Sequence, residues 1–391
     1  MKDVLLYYNF SYPLGGGDLL PLSFAAELQD VSRVTMAVDS LPGFRRAADA
    51  FGIRLDPARV SVVPLFSDGY SGKGHTRWHS FLRNVRLKRL ARKADVCISA
   101  ANITDFGRPA HHFVNLLAGI DPLLPQAASG CNPSLPFWKK MRRQFVESVG
   151  RPLSGCRAKR SLVLDPGERV YPNSCYVRDV LFRFYGPFDA SVFYPPTLFS
   201  PHRADIPRQP LRCLCLGRIS PSKRIPDIIE IVDRARRISH ADLRLVIAGP
   251  IAPGSREAAF LDRAASANPW LEIRDGVFGD AKEELLLSST FAIHARRDEE
   301  FGIAVSEYLV AGLLPVVPGE GGSNEIVGTP DLAYRTIDGA AAILARLATD
   351  TEFRDRCRRH CDGRARLFSR DAYLERQRRL LRGILDGAQN R

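Results

Sequence analysis

The chain has 391 residues, 56 of them Lys or Arg and 43 Asp or Glu, for a formal charge of +13. At about 100–200 residues per domain this length implies two domains, and 45% hydrophobic with 25% charged residues excludes a disordered chain. No run nears the ~20 apolar residues of a membrane span, and MKDVLLYYNF lacks the regions of a signal peptide, so a soluble, cytoplasmic α/β protein is expected.

In chain order, strand-like runs fall at Val4–Tyr8, Val34–Val38, Val60–Leu65 and Val96–Ser99. Helical stretches fall near Leu22–Leu28, Phe44–Phe51 (closed by Gly52), Arg77–Lys93 and Phe137–Val149. The second half repeats the plan. Strands are expected at Leu211–Leu216, Leu243–Ala248, Leu271–Ile273, Phe291–His294 and Leu314–Val317, with helices near Pro226–Ile238, Ser255–Ala267, Glu283–Ser288 and Ile303–Val310. Strands spaced by helices imply βαβ units and parallel, doubly wound sheets. A Pro-bearing polar stretch, Pro196–Pro210, reads as the linker. The expected domains are therefore 1–200 and 201–391, with the last helix, 370–391, free to pack back on the first. Cys213 and Cys215 alternate along one strand, and Cys357 and Cys361 lie one helical turn apart around His360. With no second ligand pair, the latter read as packing thiols, and no metal is expected.

Ligands of doubly wound sheets bind beyond the carboxyl ends of the strands. Beyond Leu216 comes GRISPSKR, where Arg218 and Lys223 suit a diphosphate, one as a planar fork and the other as a point charge. Beyond His294 comes RRDEEFGIAVSEYLVAG. Gly302 and Ile303 would open a helix whose N–H groups favour an anion, while Glu299 and Glu307 suit sugar and ribose hydroxyls. Solvated charges on an amphipathic helix are the bland alternative. Beyond Val317, Gly321 and Gly322 in GEGGSNEIV form either a second phosphate cradle or a turn.

These three segments together resemble the C-terminal signature of retaining GT-B glycosyltransferases of the glycogen-synthase/mannosyltransferase type (family 4-like). The nearest likeness is to the asparagine-linked-glycosylation mannosyltransferase branch, through His294 and the run from Glu299 to Gly302. Asn173-Ser174 and VFYPP resemble the family's crossover before its hinge. Gly15–Gly17 stand where its glycine loop stands, and His112-Phe113 resemble its histidine segment, although Val114 replaces the usual Pro and Glu300 also departs from the pattern.

The resemblance implies two Rossmann-like domains facing across a cleft and retaining transfer of a hexose, mannose before others. The donor would be a nucleotide-diphosphate sugar, GDP-linked in preference to UDP-linked, and the acceptor a glycan or lipid-linked precursor. Arg218, Lys223, Glu299 and His112 would form the catalytic set. Gly16, Gly17, Phe278, Gly302, Ile303, Glu307, Gly321 and Gly322 would bind the donor. His112 would touch sugar or serve as a core histidine, and Phe278 would stack on the base or sit in the core. No D-x-D motif is present, so fixed cations would replace a metal, and no further cofactor is expected.

From Gly69 through Ala94 there is no acidic residue, while Arg77, Arg83, Arg86, Lys88, Arg89, Arg92 and Lys93 interleave with apolar side chains. Such a segment reads as a contact with an anionic membrane surface or as an ordinary solvated helix. No RRM, KH or zinc-finger pattern accompanies it, so nucleic acid is not an expected partner. A basic polyanion-binding protein on a degenerate scaffold is the reading from outside the enzyme class, and a UDP-sugar transferase on a soluble acceptor the alternative within it.

Overall fold

The computed structural model describes residues 1–10, 15–66, 77–115, 141, 148–150, 152–197, 199 and 205–387. They form two compact units, Met1–Pro196 with Leu374–Arg391, and Thr197–Tyr373.

The first unit holds six parallel strands: β1 (Lys2–Tyr8), β2 (Ser32–Val38), β3 (Val60–Pro64), β4 (Val96–Ser99), β5 (His111–Val114) and β6 (Arg169–Pro172), in the order β3-β2-β1-β4-β5-β6. The second holds β7 (Gln209–Leu216), β8 (Arg244–Gly249), β9 (Leu271–Asp275), β10 (Ser289–Ile293), β11 (Leu314–Pro318) and β12 (Ala333–Tyr334), in the order β12-β11-β10-β7-β8-β9. A parallel sheet covered on both faces needs unbroken apolar runs. Val4–Tyr7 of β1, Leu245–Ala248 of β8 and Phe291–Ile293 of β10 are buried throughout. The Ile225–Ser239 helix buries Ile225, Ile228, Ile231, Val232 and Ala235, a 3.6-period stripe that covers the second sheet.

The predicted strands of both halves are present, each within a few residues of its expected ends. The short strands β5, β6 and β12 have no counterpart among those expectations. HHFV opens on two histidines, RVYP ends in Pro, and AY is two residues long. The predicted Phe137–Val149 helix, with Lys139, Lys140, Arg142 and Arg143, lies largely outside the described residues. Cys357 and Cys361 are buried on the Thr351–Phe368 helix, where burial pushes their thiols up to about 11 and about 12.

The final helix, Arg370–Gly387, begins at the end of the second unit, but its residues from Leu374 onward belong to the first. There Gln377 Nε2 donates to the Ser23 carbonyl at 3.0 Å, Arg378 pairs with Glu27, and Lys2 donates to the Leu385 carbonyl. Leu381 and Ile384 are buried alongside.

Two of the cations in the basic segment are not surface charges. Arg83 lies against the Tyr7 ring and 3.2 Å from buried Asp39, which also accepts from the Tyr7 hydroxyl at 3.1 Å. Lys88 reaches Asp105 at 2.9 Å and the Gly155 carbonyl at 2.5 Å. The membrane reading loses these two. On the Arg77–Ala91 helix and its end, Arg86, Arg89, Arg92 and Lys93 remain exposed, beside an exposed Leu82. Among the described residues no helix is long and apolar enough to cross a membrane.

Candidate functional site

The second sheet changes winding direction between β7 and β10, which are neighbours although 72 residues lie between Leu216 and Ser289. The loops leaving their carboxyl ends therefore emerge side by side. The β7 loop turns at Gly217, runs through exposed Arg218 and enters a 3-10 turn, Pro221–Lys223. Leu216, the last strand residue, donates its N–H to the Tyr308 hydroxyl at 2.6 Å. A buried tyrosine on the Ile303–Val310 helix thus ties the two motif-bearing segments together.

Lys223 Nζ lies 2.9 Å from Glu299 Oε2, and His294 Nε2 lies 3.1 Å from the same oxygen. Arg296 reaches Glu299 Oε1 at 3.5 Å and Glu300 at 2.9 Å. Burial works against the Glu299 charge, but Lys223, then His294 and Arg296, hold its carboxyl well below the usual carboxylate range. The same burial, reinforced by Lys223, pushes the His294 imidazole below its ordinary value. An ionised carboxylate and a neutral imidazole thus share one small space. Glu300, where the resemblance departs from its pattern, is raised by burial against the pull of Arg296.

Gly302 holds φ +102°, a left-handed conformation open to glycine, and caps the Ile303–Val310 helix. Its carbonyl accepts from Val305 N–H at 2.8 Å and Ser306 N–H at 3.1 Å, so the helix starts at once behind the glutamate loop. The glycines of GEGGSNEIV have a packing reason. A Cβ on Gly321 would stand 2.5 Å from the Arg297 carbonyl oxygen, and one on Gly322 would stand 2.4 Å from that of Glu300. Gly322 N–H donates to the Glu299 carbonyl at 2.7 Å. The Gly321–Val327 helix opening is therefore pressed against the Arg297–Phe301 backbone and braces it.

Glu307 is 2% exposed, and Lys282 Nζ lies 2.6 Å from its Oε1. Burial raises the Glu307 carboxyl, with Lys282 opposing. Phe278, at the N-cap of the Gly279–Ser288 helix that carries Lys282, is 66% exposed, which removes the core reading of that ring.

The structure thus gathers Lys223, Glu299, Gly302, Ile303, Gly321 and Gly322 around one loop junction, with Arg218 on the β7 loop and Glu307 one turn into the adjoining helix. Gly16 and Gly17 lie in the other unit, in a short 3-10 turn after β1 where Gly15 N–H donates to Asp18 at 2.6 Å. His112 is corrected. It sits fully buried in β5, its Nδ1 accepting from Thr104 N–H at 3.4 Å and its Nε2 3.0 Å from Glu168. Glu168 also binds Arg157 and accepts from Ala110 N–H at 2.7 Å, so both ring nitrogens are committed inside a core network. This core placement replaces the expected sugar contact. Ser174, of the Asn173-Ser174 pair, caps the Cys175–Tyr185 helix by accepting from Val177 N–H. Sequence reasoning missed Arg296 and Lys282, which stand in charge-rich local runs with nothing to mark their partners.

The fold matches that of solved structures along nearly the whole chain. HepE of Anabaena, solved with UDP and glucose, has 15% identity over 99% of this chain and 100% of its own, with a TM-score of 0.65. Sucrose-phosphate synthase of Thermosynechococcus elongatus has 13% identity over 99% and 100%, with a TM-score of 0.66. WaaG, a glycosyltransferase involved in lipopolysaccharide biosynthesis, has 12% identity over 97% and 99%, with a TM-score of 0.61.

The fold is GT-B.

Residues 200–361 match the family model described as Glycosyl transferases group 1, a stretch that contains the whole Lys223–Glu299–Glu307 site of this GT-B chain. No curated protein matches the sequence.

Proposed function

We propose that this GT-B chain is a retaining, metal-independent hexosyltransferase that takes its sugar from a nucleoside diphosphate donor. The observation that carries the reading is the Lys223–Glu299 pair, 2.9 Å apart at the switch point of the second sheet and beside the helix that starts at Gly302. Lys223, Arg218 and the first amides of that helix offer positive charge to a leaving diphosphate. Glu299, kept ionised, accepts hydrogen bonds from sugar hydroxyls, and Glu307 does the same for ribose. In the step itself the bond between the anomeric carbon and the diphosphate oxygen breaks. The acceptor oxygen bonds to that carbon on the same face, and its proton passes to the departing phosphate. No side chain needs to act as a nucleophile.

The resemblance of the His294 and Glu299–Gly302 run favours GDP-mannose, whereas HepE, solved also with UDP-glucose, favours a UDP-sugar. The residues named above would contact phosphate, ribose and sugar, so the base depends on elements such as exposed Phe278, a ring able to stack on either kind of base. A thermal-shift series with GDP, UDP, GDP-mannose and UDP-glucose tests the reading, because a ligand of the folded state raises stability by mass action. A shift with GDP alone supports the mannosyl branch, and with UDP alone overturns it while sparing the donor site. No shift with any of the four overturns the enzyme reading and leaves a polyanion-binding protein. A glycan or lipid-linked acceptor at an anionic membrane surface, met through Arg86, Arg89, Arg92 and Lys93, completes the proposal.

A further inference from the structure

Glu307 is one of the most deeply buried carboxylates of the second unit, and its cation comes from a different element. Lys282 projects from the Gly279–Ser288 helix onto Glu307 of the Ile303–Val310 helix, with Nζ and Oε1 2.6 Å apart. Among the described residues Lys282 is the charged side chain acting on Glu307, while the neighbouring Tyr308 hydroxyl is engaged by Leu216 N–H. A buried carboxylate without a cation tends to take up a proton, and it then loses much of its capacity to accept from O–H donors.

We infer that Lys282 is a positioning residue for the donor's ribose, holding Glu307 Oε1 so that the charged carboxylate presents Oε2 to the ribose hydroxyls and selects ribonucleotides over 2′-deoxyribonucleotides. The inference rests on the ribose role proposed for Glu307. Lys282 fixes both the rotation and the charge of the carboxylate through a single contact, and its helix also presents Phe278, so one element would serve the base and the sugar of the nucleoside. A site built around a buried acceptor rejects an analogue that lacks the matching hydroxyl, because the acceptor is then left unpaired.

The test is calorimetric titration of the full chain with UDP and GDP, each beside its 2′-deoxy analogue, at pH 6 and pH 8. The proteins are the wild type, Lys282→Met and Lys282→Arg. The wild type should bind the ribo form of its nucleotide at least about 10-fold more tightly at both pH values. Lys282→Met should lose most of that ratio at pH 6 and recover part of it at pH 8, because Glu307 must then shed its proton unaided. Lys282→Arg should keep the wild-type ratio at both. If Lys282→Met fails to fold, Lys282→Gln takes its place and should show the same pH dependence. A neutral variant with the wild-type ratio at both pH values overturns the inference and leaves the ribose role of Glu307 standing. A wild type that does not distinguish ribo from deoxy overturns both.

Discussion

Replacing Lys223 with Met removes the cation nearest to Glu299 and leaves a carboxylate whose side chain is 12% exposed. At 2.9 Å and an effective dielectric of about 20, the direct attraction is about 6 kcal/mol. The net loss is smaller, because Arg296 at 3.5 Å and His294 at 3.1 Å remain beside Glu299. Removing one partner of a fully buried pair costs about 3–5 kcal/mol, so about 2–3 kcal/mol is expected in this partly shared arrangement. For a unit the size of Thr197–Tyr373 that corresponds to a melting temperature lower by about 4–12 °C at pH 7.

The pH dependence gives the sharper readout. The folded-state pKa of Glu299 is depressed, so its stabilisation is present above the unfolded value near ~4.3 and is lost as pH falls through the folded pKa. Without Lys223 the folded pKa rises and the stabilisation shrinks, so the gap between variant and wild type should be full at pH 7 and narrow as pH falls through the variant's folded pKa toward the lower one of the wild type. Scanning calorimetry across that range reads both quantities. A gap of the same size at every pH would refute the electrostatic account of Glu299, and no gap at all would refute the pair.

Arg218→Ala should leave the melting temperature within a degree or two and lower turnover by about 100-fold, as loss of one oxyanion donor does; steady-state kinetics with the donor found by thermal shift checks this, and normal turnover removes Arg218 from the mechanism. His112→Ala should destabilise the chain by about 2–4 kcal/mol, since it leaves Glu168 short of a partner and opens a cavity. The thermal shift given by the nucleotide should survive that change, and a variant that melts like the wild type would contradict the core assignment. EDTA should leave transfer largely unchanged; complete loss restored by Mn²⁺ would show that a metal carries the diphosphate charge. The chain should co-sediment with anionic but not neutral vesicles and be released by salt, as attraction between exposed charges is screened over about 8 Å. Arg86, Arg89 and Arg92 changed to Glu should abolish that binding with Arg83 left intact, and a wild type that ignores anionic vesicles at low salt sinks the membrane proposal.

Where local pattern and physical cause coincide, the sequence was readable. Central strands of a parallel sheet must be apolar on both faces, so Val4–Tyr7, Leu245–Ala248 and Phe291–Ile293 announce themselves. A helix closed by Gly52 and one opened at Gly302 are local matters of backbone conformation, and both glycines hold positive φ where they were expected to end or begin a helix. The grouping of GRISPSKR, EEFG and GGSNEIV followed from strand ends of one doubly wound sheet, since those ends share an edge whatever the intervening sequence.

Pairing and burial were decided by the tertiary structure. Nothing near Lys223 names Glu299 as its partner 76 residues on, and nothing near Lys282 names Glu307. Arg83 and Lys88 read as surface cations until packing set them against Asp39 and Asp105, and His112 stood open between a sugar contact and a core histidine until Glu168 and Thr104 enclosed it. Residues 374–387 carry an amphipathic pattern that fits any apolar groove, and the contacts with Ser23, Glu27 and Lys2 assign them to the first unit. The division has one physical reason. Strand, helix and cap preferences are energies of neighbouring residues along the chain, whereas a charge's partner and its exposure depend on which surfaces meet, and only the folded chain brings those surfaces together.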